Sequence, residues 1–167
     1  MPTLEPLLIA PIAVQLHVSA ALFCIILLPL TLLRRKRDRL HKTAGDVWVV
    51  TMASAALSSF FIRGLGPFGG FSAIHIISVF TLFGLWQGVR AAIRRDLVAH
   101  QSRMRGIAIG GLGVAGVLSF MPGRRMNEVV FGTNETLGFA LILGVALVAL
   151  GLYFWRDQLR SLTPGSR

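Results

Sequence analysis

Four histidines in two evenly spaced pairs are the residues of this chain best suited to chemistry. His17 and His75 lie inside apolar runs, and His41 and His100 lie in the basic segments that follow, 24 and 25 residues further on. A histidine is costly to place in hydrocarbon, so one inside an apolar run marks a candidate functional site. Neutral imidazole is a ligand for transition metals and for haem iron. Metal or haem ligation is therefore the first chemistry that this pattern suggests.

The other polar residues offer no competing scheme. The seven acidic residues are Glu5, Asp38, Asp46, Asp96, Glu128, Glu135 and Asp157. None is expected in the middle of an apolar run, so we expect no carboxylate relay and no acidic ion site of the transporter kind. The sequence has no HExxH and no glycine-rich phosphate loop before a lysine. A single cysteine, Cys24, excludes an intramolecular disulfide and is expected to be a packing residue.

The elements that must position the histidines are apolar helices. Hydrophobic residues make up 54% of the 167 residues and charged residues 14%, whereas a soluble domain has about 25% charged residues. A membrane-spanning helix needs roughly 20 apolar residues, with about 17 as the lower limit. Five segments meet that length: 7–33, 46–62, 70–89, 106–122 and 136–155. The sequence predicts an all-α polytopic membrane protein, one domain over 1–167, with a four-helix bundle of two hairpins (7–122) plus a fifth transmembrane helix (136–155).

The distribution of charge predicts the orientation. The net charge is +10, and 14 of the 17 Lys and Arg residues lie in the first and third connections or after the last span. Only Arg63, Arg124 and Arg125 lie on the other side. By the positive-inside rule the N-terminus is outside and the C-terminus cytoplasmic. We expect the basic loops to contact the lipid bilayer, in particular its anionic lipids, and not nucleic acid.

Depth assigns the histidines to two levels. At about 1.5 Å per residue, His17 is about 15 Å inside the first span and His75 roughly 8–10 Å inside the third. Both belong to the outer half of the bilayer, while His41 and His100 lie at the cytoplasmic boundary. Ligation of haem by two histidines in a four-helix bundle requires facing helices and matched heights. The leading hypothesis is a b-type haem-binding electron-transfer protein. His17 and His75 are the preferred ligands of the haem iron, and His41 and His100 are further cofactor-binding candidates.

Other interpretations of the same residues stay open. A histidine inside a span can join helices by hydrogen bonds, and an interfacial one can cap a helix or contact lipid headgroups. Met104 follows His100 by four residues, so the two share a helix face and could hold copper or haem. Gly106 and Gly110 form a GxxxG pattern typical of close helix packing. The alternative functions are a non-enzymatic accessory or assembly subunit of a larger membrane complex, and a small transporter or metal-handling protein.

Two stretches carry a resemblance to a known family. They are His17 to Leu27-Leu-Pro-Leu-Thr31 followed by Arg39-Leu-His41-Lys-Thr-Ala-Gly45, and Arg94-Arg95-Asp96 followed by His100-Gln-Ser-Arg-Met104. They resemble the predicted bacterial membrane proteins called domain of unknown function 2306, which have a histidine in the first span and His-xxx-Gly and His-xxx-Met entries to the second and fourth. Lys42 and Arg103 stand where that family usually has Arg and Trp. The resemblance covers roughly residues 10–125 and implies a four-helix membrane architecture more than a reaction. It also implies a bacterial inner (plasma) membrane as the location.

Overall fold

A computed structural model describes residues 3–33, 38–62 and 73–162, and every regular element in those ranges is helical. The helices are α1 (Glu5–Leu8), α2 (Ile12–Leu28), α3 (Arg39–Ser59), α4 (Ala73–Ile93), α5 (Leu97–Gly106), α6 (Ala115–Ser119), α7 (Arg125–Phe131) and α8 (Glu135–Leu162). A π-helical segment, Pro29–Leu33, continues α2, and a second, Ile107–Val114, joins α5 to α6 in one run that we call the fourth helix.

The contacts within the chain define two units. One unit, Leu7–Gly116, contains four long helices and all four histidines. The other combines Met1–Pro6 with Val117–Arg167. In the second unit Asn127 is fully buried, and its side-chain amide donates to the carbonyl oxygens of Phe120 and, at 2.8 Å, Glu135. These bonds tie α7 to the start of α8.

The four helices of the first unit form a closed bundle. Helix α2 packs on α3, α3 on α4, α4 on the fourth helix, and the fourth helix on α2. Consequently α2 and α4 occupy one pair of diagonal corners, and α3 and the fourth helix the other. Contacts between α2 and α3 join the start of one helix to the end of the other, so neighbouring helices are antiparallel. We call the end where α2 and α4 begin the upper end, and the end where α3 and α5 begin the lower end.

The core of the bundle is apolar and lies between the two ends. Its buried residues are Cys24, Trp48, Met52, Leu85, Met104, Ile107, Ala108 and Leu112. The Trp48 side chain is 2% exposed, and its indole N–H donates to the Cys24 carbonyl oxygen at 3.2 Å. The Cys24 thiol in turn lies 3.8 Å from the Trp48 carbonyl oxygen. Cys24 is thus a fully buried packing residue that helps to join α2 to α3.

At the lower end of the bundle, α3 and α5 begin at aspartate caps, and α4 ends in a tight turn. Asp38 accepts a hydrogen bond from the backbone N–H of His41 at 3.1 Å, and Asp96 accepts one from Ala99 at 3.0 Å, so both aspartates are N-caps. Arg95, two residues after the last residue of α4, adopts the left-handed conformation, at φ 59°. The N–H groups of Arg95 and Asp96 donate to the carbonyls of Ala92 and Ala91. This is the Schellman arrangement, and it reduces the α4–α5 turn to three residues.

The helices differ from the predicted spans at their boundaries. Among the described residues, three helices are long and apolar enough to cross a membrane: Ile12–Leu32, Ile74–Ile93 and Glu135–Trp155. The predicted spans 46–62 and 106–122 fall on α3 and the fourth helix, which begin earlier, at Arg39 and Leu97. Their aspartate caps start each helix within the basic segment, so the first turns carry charged residues that lower the apolar character of the whole helix.

Candidate functional site

His17 is held by a backbone carbonyl on the neighbouring helix. Its Nδ1 lies 2.7 Å from the carbonyl oxygen of Ala55 in α3. A carbonyl only accepts, so Nδ1 carries the proton and donates. The Ser58 hydroxyl donates to the same oxygen at 2.9 Å and lies 3.4 Å from the His17 Nδ1. In the neutral ring the lone pair is therefore on Nε2, the nitrogen available to a ligand or a metal.

His75 lies near the start of α4 and is 5% exposed. Its ring packs against Phe60, with the centroids 5.9 Å apart and the planes inclined by 50°. One turn further along α4, the hydroxyl of Ser78 lies 2.7 Å from the hydroxyl of Ser59, and both serines are buried. Small hydroxyl side chains thus join α3 to α4 next to His75, which makes the upper end of the bundle more polar than its core.

The structure places His17 and His75 at the same end of the bundle but at different heights. His17 contacts α3 at Ala55, and His75 contacts the end of α3 at Phe60. Five residues of helix correspond to a rise of about 7.5 Å. The two histidines belong to α2 and α4, which are diagonal, so they approach the bundle interior from opposite corners.

The lower end repeats part of this arrangement. The Nδ1 of His100 lies 2.9 Å from the carbonyl oxygen of Gly88 in α4, so His100 also donates through Nδ1 and keeps its lone pair on Nε2. His41 lies in the first turn of α3, and its Nδ1 is buried without a hydrogen-bond partner among the described residues. Helix α3 and the fourth helix are diagonal, as α2 and α4 are.

Met104 packs against the same residue that binds His100. A Cβ atom added to Gly88 would collide with the methyl group of Met104, so these two residues are in close contact. Met104 is buried and belongs to the apolar core. Its side chain therefore has a packing role beside His100. Within 3–33, 38–62 and 73–162, no three His, Cys, Asp or Glu side chains are grouped as they would be around a metal ion.

The sequence indicates which histidines are candidates, but it does not indicate the groups to which they are hydrogen-bonded. The acceptors are main-chain oxygens of Ala55 and Gly88, and no side-chain type in the sequence marks a helical carbonyl that takes an extra donor. The Ser59–Ser78 pair was also missed. Its signal was available, because hydroxyl residues in apolar helices commonly join one helix to another.

The outer surface of the helices is apolar. Large side chains point outward along the candidate spans, among them Leu16, Ile26, Phe80 and Leu141, each at least 60% exposed. Helices with apolar outer faces and a partly polar interior define a multi-pass helical membrane protein. The family model described as "Predicted membrane protein (DUF2306)" matches residues 14–152, and the chain belongs to this family. No curated protein and no solved structure matches the chain. The family match confirms the resemblance and extends it into α8.

Proposed function

We propose that this chain is an electron-transfer protein of the membrane that binds b-type haem at the upper end of its bundle, with His17 and His75 as the iron ligands. The observation that carries the proposal is the hydrogen bond from the Nδ1–H of His17 to the Ala55 carbonyl. Histidines that bind metals almost always donate their other ring N–H to a carbonyl, a carboxylate or water, which fixes the ring and raises the basicity of the ligating nitrogen. His17 has this arrangement.

The chemistry of the two histidines fits the group, but their heights do not match: their contacts on α3 are five residues apart, a rise of about 7.5 Å, so ligation of one iron requires the two rings to close this difference. His75 supplies a second, buried imidazole from the diagonal helix, which is the relation between ligands that a cofactor inside a four-helix bundle needs. The apolar core around Trp48 and Met52 lies below the site and would exclude water from it. Haem, when bound, supplies one-electron chemistry. The part of this chain is to hold the two imidazoles, fix the tautomer of His17 and keep the site dry.

The lower histidines support a second haem site less completely. His100 donates through Nδ1 to the Gly88 carbonyl just as His17 donates to Ala55. His41 stands on the diagonal helix, but its Nδ1 has no acceptor among the described residues. The His100 ring is therefore oriented by a hydrogen bond as a ligand would be, and the Nδ1 of His41 has no such bond among the described residues. We include His41 and His100 in the proposal as a secondary ligand pair.

The proposal includes five membrane crossings. Helices α2 and α4 run in the same direction, because each is antiparallel to α3. If both cross the membrane, α3 must return across it, and the fourth helix must return after α4. Helix α8 adds the fifth crossing. With the basic turns on the cytoplasmic side, the N-terminus is outside and the C-terminus inside a bacterial inner membrane, and the turns contact anionic lipids.

The test is an absorption spectrum of the detergent-purified protein, oxidised and then reduced with dithionite, with pyridine haemochrome quantification. We expect a reduced b-type spectrum with near-stoichiometric haem. His17→Asn is the decisive variant. The amide nitrogen of Asn can replace Nδ1 as donor to Ala55, but Asn has no counterpart of Nε2. Ser58→Ala is the matched control, because Ser58 contacts the same carbonyl without offering a ligand.

We expect His17→Asn to lose the haem while keeping the fold, and Ser58→Ala to keep both. A colourless wild-type protein expressed with ample haem would overturn the proposal. Full haem occupancy in His17→Asn would remove His17 from the ligand set. A colourless but folded protein that co-purifies with other membrane proteins would favour the accessory-subunit function instead.

A further inference from the structure

An exposed face of α4 carries an aromatic stack that ends in a cation. The rings of Phe83 and Trp86 are 5.7 Å apart and nearly parallel, at 29°. The guanidinium carbon of Arg90 lies 5.2 Å from the centroid of the Trp86 ring, on the other side along the helix. Trp86 is 54% exposed and Phe83 is equally so, although both are large apolar residues. Arg94 directly follows α4, and its N–H still donates to the Arg90 carbonyl at 3.1 Å, so it continues the helical path. These three residues, with Arg94, are called the α4 face below.

The helical positions keep the α4 face continuous. At 3.6 residues per turn, positions 83, 86, 90 and 94 fall within about 80° of one another around the axis. From the middle of α4 toward the lower end, the face presents first the Phe83 ring, then the Trp86 indole, and then the two guanidinium groups of Arg90 and Arg94. A membrane lipid has the same order of chemistry from acyl chain to glycerol to phosphate. Trp and Arg are also the residues that settle at the level of the headgroups.

Charge selects the kind of lipid. No carboxylate pairs with Arg90 or Arg94 among the described residues, so both guanidinium groups are available to an anion. Stacking on Trp86 orients the planar guanidinium of Arg90 and reduces the entropy lost when it binds. A guanidinium binds phosphate oxygens through two parallel hydrogen bonds. A phosphodiester with a net negative charge is therefore the best complement of this end of the face.

We propose that the α4 face binds one molecule of an anionic glycerophospholipid, in the leaflet at the lower end of the bundle. The guanidinium groups of Arg90 and Arg94 hold the phosphate, and Trp86 and Phe83 contact the glycerol region and the upper acyl chain. This site involves neither histidine pair, so it is independent of the proposed haem. It is more specific than general attraction of the basic turns to a charged surface, because it depends on one stacked arginine.

Quenching of tryptophan fluorescence by brominated lipid tests the site. The full chain carrying Trp155→Phe is reconstituted in vesicles of phosphatidylcholine with a minor fraction of brominated phosphatidylglycerol. Trp48 is buried, so the quenchable signal is that of Trp86. We expect phosphatidylglycerol to be enriched at Trp86 by more than the about five-fold that general attraction to one cation near the membrane surface gives. Arg90→Gln should abolish most of the enrichment. Arg90→Lys, which keeps the charge without the planar stack, should leave an intermediate value.

Arg105→Gln is the matched control, because it removes one exposed arginine from the neighbouring α5. It should leave the enrichment unchanged. Quenching in proportion to the mole fraction of brominated lipid in the wild type would overturn the proposal, and so would equal losses in Arg90→Gln and Arg105→Gln. Relief of quenching by added inorganic phosphate would overturn the lipid assignment in favour of a soluble phosphate ligand.

Discussion

The Nδ1 atom of His17 lies 2.7 Å from the carbonyl oxygen of Ala55, and this bond joins the second turn of α2 to the last two turns of α3. The same oxygen accepts the hydroxyl of Ser58. The contact does two things at once: it ties two helices together, and it fixes which ring nitrogen carries the proton. The structural role of His17 and its proposed role as a ligand thus depend on different nitrogens of one ring, which allows them to be tested separately.

The structural role of His17 can be measured through the stability of the protein without haem. We expect His17→Ala to lower the free energy of unfolding by about 0.6–1.7 kcal/mol, the range of interhelical hydrogen bonds in membrane proteins. His17→Asn should lose less, because its amide can still donate to Ala55. Thermal unfolding in detergent, without added haem, measures both. Equal losses in the two variants would show that the Ala55 bond contributes nothing to stability.

Gly88 should not tolerate a side chain. A methyl group there meets the terminal methyl group of Met104, which is buried in the core, so the Met104 side chain must move and disturb its neighbours. We expect Gly88→Ala to destabilise the protein by about 1–3 kcal/mol, as overpacking does. Gly106→Ala is the control, because no atom lies within 4 Å of the added methyl group. Adding Met104→Ala to Gly88→Ala should relieve the clash. A stability of Gly88→Ala equal to that of Gly106→Ala would contradict the close contact.

Arg95 is a position where glycine should be better than the natural residue. Its φ of 59° strains a residue with a Cβ atom. We expect Arg95→Gly to raise the free energy of unfolding by up to about 1 kcal/mol. Arg94→Gly removes the same charge from the same turn at a residue without a positive φ, and it should be neutral or destabilising. Thermal unfolding in one detergent compares them, and a destabilised Arg95→Gly would refute the explanation.

The Ser59–Ser78 contact should appear as a coupling energy. The two hydroxyls are 2.7 Å apart across α3 and α4. A double-mutant cycle with Ser59→Ala and Ser78→Ala should give a coupling of about 0.6 kcal/mol. Ser54 is exposed and bonds to the carbonyl of Val50 in its own helix, so a cycle of Ser54→Ala with Ser78→Ala should give none. Equal coupling in both cycles would mean that the serines do not interact directly.

The sequence predicted the helices better than it predicted the contacts between them. Apolar length and charge clusters are properties of a single segment, so α2, α4 and α8 could be located from them. How closely two helices approach at a glycine depends on the side chain that the neighbouring helix presents there. Gly106 and Gly110 form the GxxxG pattern, yet a Cβ on either would meet no atom within 4 Å. Among the described glycines, the tightest positions are Gly88, against Met104, Gly111, against Thr81 and Met52, and Gly138, against Phe131.

The aspartate caps of α3 and α5 show how the two hairpins differ. Counted from its cap, His41 is the third residue of α3 and His100 the fourth residue of α5. One residue of helix turns a side chain by about 100° around the axis. The starts of α3 and α5, which resemble each other in the sequence, therefore present their imidazoles in different directions relative to their caps. Among the described residues, His100 reaches a carbonyl and the Nδ1 of His41 has no partner. The two hairpins are therefore not interchangeable, because an offset of one residue from the cap gives each lower histidine its own direction.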